Sequence, residues 1–212
     1  MLSHYNKLND MTRKLIIMFC LGAMAMGMSA QKGVDARIKQ IREAYANRLT
    51  MMQNQPYDDE SQKVEHLVVA YNRMYPGTGL ACFNDNYYWT DDENEDYMLK
   101  PTLYFATSDY TMNTGIYIFH KEYLFDSETE EPMFMYVSTR FGEDGKKLEY
   151  RFYFDKGKLI KQLPEKIGTV ADDELDPMIE VDKNGKAVAA NLLREMENVK
   201  KSFHDQIPTY PW

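Results

Sequence analysis

Cys82 and the histidines at 66, 120 and 204 are the side chains of this sequence best suited to nucleophilic or metal chemistry. A nucleophilic thiol needs a base within reach and surroundings that favour the thiolate. Cys82 instead lies between Leu80-Ala81 and Phe83, with no helix start beside it, and is expected to be a buried, inert cysteine. The histidines show neither His-x-His nor His-Glu-x-x-His spacing, so no two imidazoles are placed on one metal ion. Glu180-x-Asp182-x-Asn184-Gly185 has the oxygen spacing that opens an EF-hand loop, but its twelfth position is Asn191, which supplies no bidentate carboxylate. The segment is expected to be an Asp/Asn/Gly turn leading to a helix. Pro76-Gly77-Thr78-Gly79 lacks the Lys-Ser/Thr ending of a phosphate loop and reads as a turn. Glycoside hydrolysis needs two acids across a cleft, and among 33 acidic residues the sequence selects no pair. No catalytic residue, metal ligand or cofactor site is therefore predicted.

The aromatic residues are the more informative feature. Tyr87-Tyr88-Trp89 is consecutive, and Tyr97, Tyr110, Tyr210 and Trp212 fall in or near polar segments. In a strand, Tyr87 and Trp89 share one face and Tyr88 takes the other. If that face is open, the pair forms a shelf beside the acidic run Asp91-Asp92-Glu93-Asn94-Glu95-Asp96, expected to be a solvated loop. Tyr87, Trp89, Asp91 and Asp92 are accordingly the predicted ligand-binding residues. The competing expectation is that Tyr87 and Trp89 face a helix as core.

The elements that position these residues follow from periodicity. Val34, Ile38, Ile41, Tyr45, Leu49 and Met52 form one apolar stripe across residues 31–53, which predicts an amphipathic helix ended before Pro56. From Val64 the period changes to two, and strands are expected at 64–75, 82–90, 102–108, 115–125, 133–141, 147–155 and 158–163. Short Gly- and Asp-containing links such as Asp155-Lys156-Gly157-Lys158 predict hairpins, hence an antiparallel meander. Leu148, Tyr150, Phe152 and Phe154 give the sixth strand one dry face, whereas residues 115–125 are apolar on both sides, as in a central strand. Val188, Leu192, Met196, Val199 and Phe203 mark a second amphipathic helix before Pro208. The fold class is thus α+β, a sheet of about seven strands flanked by an N-terminal and a C-terminal helix. Two long amphipathic helices and a proline-containing C-terminus argue against an outer-membrane barrel.

Lys7, Arg13 and Lys14 precede an apolar run from Leu15 to Met28, too short to span a bilayer, which ends at Ser29-Ala30-Gln31. Residues 1–30 read as a signal peptide, with Met11 an alternative start, and residues 31–212 as one secreted α+β domain, periplasmic or extracellular. Met18-Phe19 before Cys20 do not make a lipobox, so no stable membrane insertion is expected after cleavage. With 25 Lys and Arg against 33 Asp and Glu, the net charge of −8 disfavours nucleic acid as a partner. Cys82 is the single cysteine after residue 30, so the core and not a disulfide must supply stability.

The signal ending in Ser-Ala-Gln, the helix from Asp35 to Tyr45, the Tyr75-Pro-Gly-Thr-Gly turn and the Arg151-Phe-Tyr-Phe-Asp-Lys-Gly-Lys-Leu-Ile hairpin resemble small secreted α+β proteins of Bacteroides-type bacteria of unknown function. The resemblance implies export and fold, and carries over no functional residue. The expected function is a non-enzymatic binding module for a glycan or an envelope protein. The alternatives are a hydrolase of envelope or other polymers using unidentified carboxylates, and a structural accessory subunit.

Overall fold

The computed structural model describes residues 32–52, 65–77, 79–93, 99–112, 117–141, 145, 147–167 and 179–207. The signal peptide expectation, Tyr97, Tyr210 and Trp212 lie outside the described residues. Helix α1 covers 32–52. Seven strands follow: β1 (Glu65–Tyr75), β2 (Gly79–Glu93), β3 (Leu99–Met112), β4 (Tyr117–Phe125), β5 (Pro132–Phe141), β6 (Leu148–Asp155) and β7 (Lys158–Leu163); helix α2 (Ala189–Gln206) closes the series. The strands lie in sequence order in one sheet, each antiparallel to the next. The fold is the α+β meander that the alternating pattern and hairpin links imply.

Two strands outrun their expected ends. Asp91, Asp92 and Glu93 continue β2 opposite Pro101, Lys100 and Leu99, so the first half of the expected acidic loop is strand; residues 94–96 lie outside the described residues. Backbone pairing in a hairpin needs no apolar side chain, and acidic residues at its end remain compatible with the ladder. Pro101 is tolerated because the pairing of β3 with β4 reaches only as far as Phe105, opposite Leu124, so this part of β3 pairs with β2 alone. At the β2–β3 register shift Tyr88 faces Phe105 and Trp89 faces Leu103, leaving Tyr104 as the extra residue.

Side-chain alternation divides the sheet into two faces. One carries Tyr87, Trp89, Leu103, Tyr123, Met135 and Phe152, which form the core with Leu192, Met196 and Phe203 of α2. These three α2 residues are wholly buried, and each such side chain contributes about 1.5 to 3 kcal/mol relative to exposure. Residues up to Arg42 and residues from Glu43 onward form two compact units. Within the second, the end of α1 meets the opposite sheet face: the Tyr45 ring centroid lies 5.0 Å from that of Phe134, and the Arg48 guanidinium 4.2 Å from that of Tyr104. Within the first, Ile38 and Ile41 are buried, as the apolar stripe requires.

The link into α2 is held by one buried side chain. Gln162 Nε2 donates to the carbonyls of Glu165 (3.1 Å) and Gly185 (3.0 Å), and its Oε1 accepts from Ala187 N at 2.9 Å. Asp182 Oδ1 accepts from the backbone N–H of Asn184 (2.8 Å) and Lys186 (2.9 Å), bonds that hold its carboxyl below the usual range. Gly185 completes the turn at φ 75°, where a side chain would also meet the Ile167 carbonyl at 3.0 Å. The Asp182-Asn184-Gly185 segment is the turn that its residue types suggest.

Candidate functional site

Tyr87 and Trp89 do share a face, but it is the core face. They are 4% and 8% exposed, and their ring centroids lie 5.9 and 5.5 Å from that of Phe203 in α2. The expected open shelf at Tyr87 and Trp89 is therefore corrected: α2 covers it. Tyr88, on the other face, stacks on His66 at 4.4 Å and 3°. Asp91 and Asp92 follow in β2 as paired residues and do not start a loop. Cys82 is also corrected, being exposed and not buried. Its apolar neighbours Ala81 and Phe83 point to the face opposite its own, while Cys82 shares its face with Asn72 and Thr111, its partners in register.

An aromatic surface exists elsewhere on the core face, beyond the residues that α2 covers. Tyr71, Phe83, Tyr110 and Phe119 are direct cross-strand partners on β1, β2, β3 and β4. Their ring centroids are spaced 4.6, 4.7 and 5.4 Å apart, with Tyr71 and Phe83 nearly parallel at 8°. Exposure falls along the row from 46% at Tyr71 to 8% at Phe119, so it is anchored at β4 and opens toward β1. Sequence reasoning missed this row because its members lie on four strands, and only the register aligns them. Tyr110 also lies beyond the strand expected at 102–108 and joins the row only because β3 runs on to Met112.

The next row on the same face is polar: Asp85, Ser108 and Lys121 are partners in register. Ser108 Oγ donates to Asp85 Oδ1 at 2.5 Å. Burial raises the Asp85 carboxyl above its ordinary value, against the pull of the Ser108 hydrogen bond. Tyr71 is raised as well, by burial first and then by the Asp85 charge. The surface therefore offers the outward edges of mutually stacked rings, with Tyr71 the most exposed at the end of the row, beside a carboxyl and a hydroxyl. Such a set can pack its ring edges against the apolar face of a sugar ring and hydrogen-bond to its rim.

The opposite face holds a charged network that sequence spacing did not show. His120 Nδ1 lies 2.7 Å from Asp109 Oδ1, and Nε2 lies 2.9 Å from Glu122 Oε1. Tyr45 OH donates to the other Glu122 oxygen. The Glu122 hydrogen bond, aided by Asp109 and opposed by burial, raises the His120 pKa. Burial raises Tyr45, and its bond to Glu122 adds to the effect. Beside this group, Tyr136 OH donates to Glu149 Oε1 at 2.7 Å, and Lys147 Nζ lies 2.8 Å from the same oxygen. Those bonds, Lys147 first, lower Glu149 to about 2. The two ring nitrogens of His120 thus lie within hydrogen-bond distance of one carboxylate each, so both acids are engaged by the same side chain.

A pH dependence follows. A histidine whose folded pKa is raised contributes stability that is present below its unfolded value near 6.5 and is lost as pH rises through the folded value. The melting temperature is expected to fall as pH rises from about 6.5 through that range, and His120→Gln should flatten this slope. A slope unchanged by the substitution in differential scanning calorimetry would remove His120 as its source.

Compared with family models, curated proteins and solved structures, the chain gives no match.

Proposed function

We propose that this protein is a non-enzymatic binding module, acting after export, that holds a glycan on the aromatic row of Tyr71, Phe83 and Tyr110, with Asp85 and Ser108 at its edge. The observation that carries this reading is the row itself: four rings in cross-strand register, grading from buried Phe119 to exposed Tyr71. Rings stacked on one another across a sheet hold each other rigid and present a row of apolar edges with low conformational entropy to lose on binding. A pyranose ring presents an apolar face to such a surface and hydroxyls to a carboxyl beside it. Asp109 and Glu122 are both engaged by one histidine, which weighs against this particular pair as the two acids that the hydrolase alternative needs.

Retention on a glycan array, with envelope proteins spotted beside the glycans, tests the reading. Tyr110→Ala is expected to reduce retention of a bound glycan by tenfold or more, on the order of the loss of one stacking ring, with the melting temperature within a few degrees of wild type. Retention of protein spots alone, or glycan retention indifferent to Tyr110, would contradict the glycan assignment.

A further inference from the structure

The large apolar side chains that the described residues leave exposed are Val68, Tyr71, Met74 and Leu80, all on β1 or on the first residues of β2 beside it. Strand β1 is an outer edge of the sheet and pairs with β2 alone. It is eleven residues long and mostly exposed. The other edge, β7, is six residues long and carries Lys158 and Lys161, the usual protection against edge pairing. Between Glu65 and Arg73, β1 has no formally charged side chain apart from what His66 can carry, and so lacks that protection.

The residue order on β1 matches its own reverse. Its one acidic residue, Glu65, and its one basic residue of the Lys/Arg type, Arg73, each lie four positions from Val69. Antiparallel pairing of two β1 strands centred on Val69 places Glu65 opposite Arg73 of the partner subunit, and the reverse pair follows from the two-fold axis. The same register sets Leu67 opposite Tyr71 of the partner subunit, Val68 opposite Ala70 of the partner subunit, and His66 opposite Asn72 of the partner subunit. Charge meets opposite charge, apolar meets apolar, and polar meets polar at every position from 65 to 73. Moving the centre by one residue to Ala70 would set Glu65 against Tyr75 and Leu67 against Arg73, losing both ion pairs. Glu65 and Arg73 are exposed, and the Arg73 guanidinium, 5.7 Å from the Tyr75 ring centroid, makes no ion pair among the described salt bridges.

We propose that β1 is a homodimerisation strand: a second copy of this chain pairs with it antiparallel, centred on Val69, to form a continuous fourteen-stranded sheet. Opposite charges across a strand pair stabilise it and like charges oppose it, so the two Glu65–Arg73 pairs select both the partner and the register. The two-fold axis stands perpendicular to the sheet, so both aromatic rows lie on the same side of it. Their Tyr71 positions are offset by four residues along the strands, about 13 Å. Dimerisation does not depend on what the aromatic row binds, and its test is separate.

Sedimentation velocity of the purified chain over a dilution series provides the test, with charge reversals at the two exposed positions. The wild type is expected to show a species of twice the chain mass. Glu65→Lys sets Lys against Arg, and Arg73→Glu sets Glu against Glu, so each variant alone should raise the dimer dissociation constant roughly tenfold. Mixing the two variants sets Glu against Arg and Glu against Lys, and the mixture should regain the wild-type constant as a heterodimer. Circular dichroism and melting temperature confirm folding of each variant before mixing. A wild type that remains monomeric up to its solubility limit would overturn the proposal. A dimer indifferent to both reversals, or variants that do not complement on mixing, would also overturn it.

Discussion

Trp89→Ala is expected to lower the unfolding free energy by about 3 to 5 kcal/mol, the range for deleting a large aromatic side chain from a core. The ring is 8% exposed and packs against Phe203, which is itself wholly buried on α2. Removing it takes away transfer free energy and leaves a cavity that Tyr87, Leu103 and Phe203 can only partly fill. The same substitution at Tyr71, which is largely exposed, should cost well under half as much. Urea denaturation of the two variants measures the contrast. A Trp89→Ala protein with an unchanged midpoint would mean that α2 does not cover this part of the sheet.

Lys121→Met should cost about 3 kcal/mol or more. Lys121 Nζ and Tyr123 OH both donate to Glu195 Oε1 at 2.7 Å, joining the middle of β4 to α2. The two charged side chains are only 15% and 10% exposed. The second carboxylate oxygen, Glu195 Oε2, is buried with no hydrogen-bond partner. Without the ammonium, the carboxylate would be left buried with the Tyr123 hydroxyl, and an uncompensated buried charge is the costly half of a broken ion pair. Replacing both partners, as in Lys121→Met with Glu195→Leu, removes the charge as well as its partner. That double variant is expected to recover most of the lost stability, which a double-mutant cycle reads directly. A double variant no more stable than Lys121→Met alone would show that the loss comes from the other contacts of Lys121, its charge near Asp85 among them, and not from the unpaired carboxylate.

The extent to which this structure is legible in the sequence depends on whether the deciding interaction is local. Hairpin order is local: Asp155-Lys156-Gly157-Lys158 turns the chain with Lys156 and Gly157 at positive φ, and period-two patterning on either side supplies the strands. The α2 stripe is local too, and Leu192, Met196 and Phe203 are buried as their spacing requires. The central place of β4 was also legible, though full burial on both faces holds only for its last three residues, Tyr123, Leu124 and Phe125. Earlier in the strand, His120 and Glu122 give one face its charged network.

Alternation tells that Tyr87 and Trp89 share a side but not which side is covered. That is decided by Phe203, more than a hundred residues later. The same limit applied to Cys82, whose apolar flanks suggested burial although its own side chain alternates to the exposed position. Both rows of functional interest, the aromatic one and the Asp109–His120–Glu122 group, need the register of β3 against β4 before their members become neighbours. A register shift of one residue would move every one of them to the opposite face.

The central claim, that the aromatic row is the binding surface, is tested most directly by mapping a glycan retained on the array onto the protein by two-dimensional NMR. Chemical-shift changes are predicted to cluster at Tyr71, Phe83, Asp85, Ser108 and Tyr110 on the core-side face, and to leave Asp109, His120 and Glu122 on the opposite face unaltered. A footprint centred on His120 and its carboxylates, or the absence of any retained glycan, would contradict it.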